Sequence, residues 1–381
     1  MSNNPFRYLH HVAGDTRLYH GDCMDVLREI PDSSVDSVAT DPPYDLTAGK
    51  KGGTGAASVN PNSPAGRSMI GTGNGGFMGK DWDATGIAFD PATWAECLRV
   101  LKPGGHLLAF GGSRTWHRLA TAVEDSGFEI RDSIAWLYSQ GFPKSLNLPG
   151  GLGTALKPAF EPIVVGRKPM VGTTAVNVLA YGVGALNIDA CRVDTDGRPL
   201  VTSDRRDGNH VYGDGLQGSK AAGETTVGRW PTNVLLDESQ AADLDQQSGI
   251  TSAARRIGRR STKSETAALG DFAGQQSALK DHGDSGGASR FFPTFHYQAK
   301  APKRERPNID GVQHPTVKPL DLLRWLVRLV TPPGGLVLDP FAGSGTTAEA
   351  CVYEHMRCIT IEREAEYLPL IVARLNRSNP E

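Results

Sequence analysis

Four consecutive residues, Asp41-Pro42-Pro43-Tyr44, join a carboxylate, two prolines and an aromatic ring directly after the short apolar run Ser37-Val38-Ala39-Thr40. Prolines fix φ and bring no amide hydrogen, so the main chain around Pro42 offers carbonyl oxygens only, held stiffly beside the Asp41 carboxylate. Such an acceptor-only claw suits a planar group carrying an NH2: two acceptors take its hydrogens while Tyr44 stacks on the ring face. A nucleobase with an exocyclic amine has that shape. A turn closed by prolines with an ordinary Asp cap would use the same residues. The amine reading carries a definite chemistry. The nitrogen is a poor nucleophile because its lone pair is delocalised into the ring. Acceptors on both hydrogens localise that pair and stabilise the positive charge that develops as the nitrogen attacks an electrophilic carbon. No covalent enzyme intermediate is needed, and no Pro-Cys dipeptide occurs in the chain.

A second stretch suits a cofactor. After the apolar run Leu336-Val337-Leu338 comes Asp339-Pro340-Phe341-Ala342-Gly343-Ser344-Gly345-Thr346-Thr347, and Glu362 lies 19 positions past Gly343 at the tip of the next predicted strand. Gly343-x-Gly345-x-x-Ala348 in a strand-turn-helix unit lets backbone amides approach a nucleoside, and the acid grips ribose hydroxyls. No Gly-Lys-Ser/Thr follows, which disfavours a nucleoside triphosphate. The turn alone does not separate a dinucleotide from S-adenosylmethionine, since both carry an adenosine. The acceptor claw does: methyl transfer to an amine needs it, and hydride transfer does not.

The elements around these stretches alternate. Strands are predicted at 17–22, 37–40, 106–110, 130–138, 163–165, 336–338 and 357–361, with helices at 24–30, 91–101, 119–126, 319–330 and 348–353. That order predicts an α/β fold with a mostly parallel, doubly wound sheet. Residues 45–80 hold ten glycines among Ser, Asn, Thr and Pro, too polar to pack a core, and read as a mobile loop that grips or covers a substrate. Between 170 and 289 apolar runs shrink while glycine, serine and charge rise. This span reads as an insertion separating a first part, 1–169, from a last part, 290–381. Within it Arg255, Arg256, Arg259, Arg260 and Lys263 supply five positive charges before the next acid, Glu265. Such a run is usually a solvated loop, and phosphate contact is its sharper reading.

Composition narrows the class. A chain of 381 residues with 39% hydrophobic and 22% charged residues can bury a sizeable core. No run reaches the length of a membrane span, and the first residues lack an apolar signal stretch, so a cytoplasmic protein with no membrane partner is expected. Cys23, Cys97, Cys191, Cys351 and Cys358 are scattered without metal-ligand spacing, and neither a metal site nor disulfides are expected. A net charge of -2 means that any nucleic acid must be held by a local basic surface.

With both motifs read, the chain resembles the amino-group DNA methyltransferases that act on adenine N6 or cytosine N4. The order is claw first, variable region in the middle and cofactor motif last, which resembles the circularly permuted β group. His314-Pro315-Thr316-Val317-Lys318-Pro319 resembles the H-P-T-x-K-P signature of that group. Phe77–Asp83 and Gly141–Ser145 resemble segments of phage and prophage members, whose enzymes would work in a host cytoplasm.

The resemblance implies a Rossmann-like S-adenosylmethionine-dependent methyltransferase fold with an inserted target-recognition region at 170–289. It implies that Asp41, Pro42, Pro43 and Tyr44 hold a flipped base. Asp339, Phe341, Gly343, Gly345 and Thr346 would line the cofactor, Glu362 would take its ribose, and Asp22 would lie near its adenine. His314 and Lys318 would lie near its carboxylate. The expected partner is double-stranded DNA, with adenine N6 the preferred target because the first claw residue is aspartate; serine is commoner in the cytosine enzymes. Cytosine N4, RNA or a protein glutamine remain open as substrates, as does a homodimer.

Overall fold

The computed structural model describes residues 7–45, 85–139, 141, 146–195, 197–203, 219–252, 285–295 and 306–378. Strands β1 (Leu9–Ala13) and β2 (Thr16–His20) form an antiparallel hairpin. Helix α1 (Cys23–Glu29) follows, capped by the Asp22 carboxylate, which accepts from Met24 N at 2.9 Å. β3 (Val35–Thr40) is buried at every residue, as a central strand covered on both faces must be. Helix α2 (Pro91–Val100) opens on a proline behind its Asp90 cap, where a missing amide hydrogen costs nothing. Then come β4 (Leu101–Phe110), α3 (Trp116–Asp125), β5 (Glu129–Leu137) and β6 (Phe160–Arg167). The chain continues through α4 (Thr174–Tyr181), β7 (Val234–Asp237), α5 (Glu238–Ser248) and β8 (Thr294–Phe295). It closes with α6 (Leu320–Val330), β9 (Leu336–Asp339), α7 (Thr346–Tyr353), β10 (Arg357–Glu362) and α8 (Leu368–Ser378).

Ten of these strands form one sheet in the order β1-β2-β10-β9-β3-β4-β6-β5-β7-β8. Two strands from the end of the chain, β9 and β10, are thus inserted between two from its beginning. Parallel pairing from β2 through β4 requires crossovers on the faces, and helices cover both. Successive side chains alternate between two cores. Ala39, Leu108, Phe110 and Val337 pack with α6, α7 and α8, while Val38, Leu107, Ala109 and Leu338 pack with α1, α2 and α3.

Three pairings in this sheet are antiparallel. The β1–β2 hairpin caps one edge, and β6 runs against both β4 and β5. Because β6 is reversed, its first residues, not its last, stand at the end of the sheet where β3, β5 and β9 finish. Within 170–289, expected as an insertion, β7 pairs with β5 through Val234↔Ala135 and Leu236↔Leu137 and extends the main sheet. Its Val-Leu-Leu core is too short to stand out among polar flanks.

Candidate active site

Residues 41 and 343 are distant in sequence and adjacent in space because β9 lies beside β3 in parallel register, Val337↔Ser37 and Leu338↔Val38. Both strands therefore end at the same edge, the place where open α/β sheets offer a crevice. Thr40 Oγ1 donates to Asp339 Oδ1 at 2.7 Å and ties the two exits together. Beyond them lies a cavity of about 930 Å³ whose lining includes Asp22, Asp41, Tyr44, Glu161, Lys318 and Glu362.

On the claw side, Asp41 divides its two oxygens. Oδ2 accepts from Lys318 Nζ at 2.7 Å, whereas Oδ1 is buried with no hydrogen-bond partner. Lys318 also donates to the Tyr44 hydroxyl at 3.0 Å and lies 3.3 Å from Glu161 Oε2. The Tyr44 hydroxyl in turn donates to Glu161 Oε2 at 3.3 Å, and the Tyr44 carbonyl accepts from Thr115 Oγ1 at 3.0 Å. The Lys318 ammonium sits over the Tyr44 and Phe110 rings, 5.2 and 4.9 Å from their centroids. Burial acts to lower the Lys318 pKa, but the Asp41 and Glu161 carboxylates outweigh it and hold the ammonium above its ordinary range. Burial and the same two carboxylates push the Tyr44 hydroxyl well up, so Tyr44 stays a neutral donor.

The chain leaves the claw at Asp45, whose φ is +49°, and Asp45 Oδ1 accepts from Gly86 N at 3.1 Å. The two ends of the long polar stretch are thereby pinned together at the cavity mouth. Residues 46–84 themselves, which include most of the expected mobile loop and Phe77–Asp83, lie outside the described residues.

On the other side, the turn after β9 needs its glycines. Gly343 and Gly345 adopt φ of +52° and +78°, a region where a Cβ is strained. A Cβ on Gly343 would stand 3.0 Å from His314 Nε2, and one on Gly345 2.9 Å from Ile371 Cγ2. Gly343 N donates to Glu362 Oε2 and Glu364 N to Glu362 Oε1, each at 2.7 Å. Burial pushes the Glu362 carboxyl up to about 7 against the pull of those amides. Asp339 is buried more deeply. Phe341 N donates to its Oδ1 at 3.1 Å, and burial lifts its carboxyl to about 6 despite that bond and the Thr40 hydroxyl.

The other residues singled out in the sequence fall around the same space. Phe341 and Thr346 line it, and Phe341 also meets the Trp94 ring at 6.4 Å. Asp22 lines it while capping α1. His314 packs edge-on against Tyr367 at 4.6 Å between centroids and covers Gly343. Lys318 reaches across to the claw, because two carboxylates there compensate a buried ammonium. Glu161, on β6, was not anticipated. It belongs to no motif, and only the reversal of β6 brings its first turn of strand to the cavity.

Arg255, Arg256, Arg259, Arg260 and Lys263 lie outside the described residues. Among the described residues, no cluster of His, Cys, Asp and Glu could hold a metal, and no helix is long and apolar enough to cross a membrane.

The sequence matches the family model N6_N4_Mtase, described as DNA methylase, over residues 35–373. The chain belongs to this family of DNA methylases. Among individual relatives, it is 44% identical over 68 residues to the Type II methyltransferase M2.MboI of Moraxella bovis, covering 18% of this chain and 25% of that protein. It is 33% identical over 94 residues to the Type II methyltransferase M.BamHI of Bacillus amyloliquefaciens, covering 25% of this chain and 17% of that protein. The chain thus aligns with a quarter or less of the length of either relative. Among solved structures, the M1.HpyAVI-SAM complex aligns at 15% identity and a TM-score of 0.43, over 95% of this chain and 99% of that one. The cytosine-N4-specific PvuII DNA methyltransferase aligns at 15% identity and a TM-score of 0.49, over 95% and 87%.

Proposed function

We propose that the protein transfers a methyl group from S-adenosylmethionine to the N6 amine of adenine at specific sites in double-stranded DNA. The observation that carries this reading is the meeting of an acceptor claw and a glycine-rich nucleoside turn in one cavity, joined through Thr40 and Asp339.

The residues present fit the cofactor. Gly343, Glu362 and Asp22 line one space, where the Glu362 carboxylate would take ribose hydroxyls, and Gly345 lets the turn fold back against the buried Ile371. S-adenosylmethionine, when bound, supplies an electrophilic methyl on a sulfonium. Phe341, Gly343, Gly345 and Thr346 would line its methionine side, with His314 over Gly343.

The chain's own part is to make the amine nucleophilic. Asp41 Oδ1, the buried acceptor without a partner, takes one amine hydrogen, and the Pro42 carbonyl takes the other. Tyr44 supports the base by stacking. Two acceptors localise the nitrogen lone pair and stabilise the charge it gains, which is the part of the barrier an enzyme of this kind can lower. A base inside a duplex cannot reach Asp41, so it must be turned out, and the stretch after Tyr44 would close over it. The basic residues Arg255, Arg256, Arg259, Arg260 and Lys263 would contact phosphates.

Aspartate at the first claw position supports adenine over cytosine, in keeping with the family resemblance. The test is to express the chain in a host lacking DNA methylation, digest the DNA to nucleosides and identify the modified base by mass. N6-methyladenine is expected; N4-methylcytosine alone would overturn the adenine reading, and no methylated base would overturn methyl transfer to DNA.

A further inference from the structure

Three acceptors, Asp41 Oδ2, Tyr44 Oη and Glu161 Oε2, converge on the Lys318 ammonium at 2.7, 3.0 and 3.3 Å. Their charges sum to an instructive total. Asp41 and Lys318 alone would form a neutral pair, and a neutral claw has little to offer a nitrogen that becomes cationic as it gains a methyl. Glu161 adds one negative charge within reach of both. The cluster then keeps a net charge of -1, while Lys318 fixes Oδ2 and leaves Oδ1 without a partner.

Building on the methyl-transfer reading, we propose that Glu161 and Lys318 are a positioning pair: Lys318 orients Asp41, and Glu161 balances its charge so that Asp41 still acts as a full carboxylate toward the amine. In the step they serve, the nitrogen lone pair forms the bond to the methyl carbon while the carbon–sulfur bond breaks toward sulfur. The cationic nitrogen then returns to neutrality by releasing one of its own protons to water. Glu161 forms no bond to the substrate in this account. It acts on the electrostatics of the claw, where a fixed charge in a shielded cavity counts for more than in water.

Several features fit this role better than a structural one. Glu161 stands at the first turn of an antiparallel strand whose hydrophobic hold comes from the buried Ile163, Val164 and Val165 further along. Its side chain keeps 23% exposure, and Lys318 only 11%, so Lys318 is the one that needs compensation. Asp41 still pairs with Lys318 when the Glu161 charge is removed, so the buried ammonium keeps one carboxylate, and the thermal midpoint reports whatever stability the change costs.

The experiment compares wild type, Glu161→Gln, Glu161→Asp, Lys318→Met and the double variant Glu161→Gln/Lys318→Met. Single-turnover methyl transfer to methyl-free chromosomal DNA is measured with S-adenosylmethionine and DNA both saturating. Equilibrium dissociation constants for each ligand and the thermal midpoint are recorded beside the rates. Glu161→Gln is expected to slow methyl transfer roughly 10- to 100-fold with both dissociation constants unchanged. Glu161→Asp should recover most of the rate. The double variant, whose claw regains a charge of -1, should lose less than the product of the two single losses.

A Glu161→Gln enzyme with wild-type rate would overturn the proposal, as would a loss confined to ligand affinity or a double variant whose losses multiply. If Glu161→Gln proves unstable, Glu161→Asp and the double variant carry the same test. Failure of the proposal is separable from failure of the methyl-transfer reading, which is decided by whether the wild type methylates DNA at all.

Discussion

Two strands that lie side by side in the sheet end in the same dipeptide: β3 runs out into Asp41-Pro42 and β9 finishes with Asp339-Pro340. The two aspartates share a motif and have opposite surroundings. Asp339 is turned into the protein, where the Thr40 hydroxyl and Phe341 N bind it and burial raises its carboxyl to about 6. Asp41 is turned outward. Lys318 binds one oxygen, and the other is buried without a partner beside the cavity that Asp41 lines. On the proposed reading, adjacent Asp-Pro exits divide the labour, one as a clamp that joins two strand tips and one as the acceptor for an amine. Sequence motif does not assign these roles; the donors around each carboxylate do.

Substitutions can break this contrast. The largest effect is expected for Asp41→Ala, which removes the free acceptor. Single-turnover methyl transfer should fall by about a thousandfold or more, while S-adenosylmethionine binding measured by calorimetry stays within about twofold. Next comes Gly345→Ala. Its φ of +78° and the 2.9 Å approach of Ile371 leave no room for a methyl, so thermal unfolding should show a loss of roughly 1–3 kcal/mol together with weaker cofactor binding.

A smaller effect sharpens the cofactor half. Burial raises the Glu362 carboxyl to about 7, and on the proposed reading its ionised form accepts ribose hydroxyls. Cofactor affinity should therefore fall as pH drops below about 7 and level off above it, and Glu362→Gln should bind more weakly with no such slope. Titrations across pH 6 to 8.5 check this. The smallest effect is expected for Thr40→Val. It removes one donor from the buried Asp339 and should cost about 1–2 kcal/mol in denaturant unfolding, with methyl transfer lowered less than by any change at Asp41.

The same contrast explains what could be read in advance. The alternation of strands and helices was legible because buried parallel strands such as β3 and β9 are continuous apolar runs and α6 carries its apolar residues at helical spacing. Both motifs were legible because the proline claw and the glycine turn have unusual backbone chemistry. The edge strands β1 and β8 and their inner neighbour β7 were not, since they are short and their apolar content is modest. Helix α8 passed unnoticed although Leu368, Ile371 and Leu375 repeat at helical spacing and are buried. Lys318 was noticed through its motif, but its reach to Asp41 depends on how α6 is set against β3. Glu161 carried no signal, because its place follows from the direction of β6, and strand direction is not written in a single strand's residues.

The most direct test of the account is a side-by-side comparison of Asp41→Asn and Asp339→Asn in single-turnover methyl transfer at saturating S-adenosylmethionine. Asparagine keeps an oxygen that the Thr40 hydroxyl and Phe341 N can use, but it lacks the charge needed at the amine. Asp41→Asn should slow methyl transfer by about a hundredfold or more, and Asp339→Asn should stay within about threefold of wild type. Equal losses, or a larger loss at Asp339, would contradict the division of roles between the two strand tips.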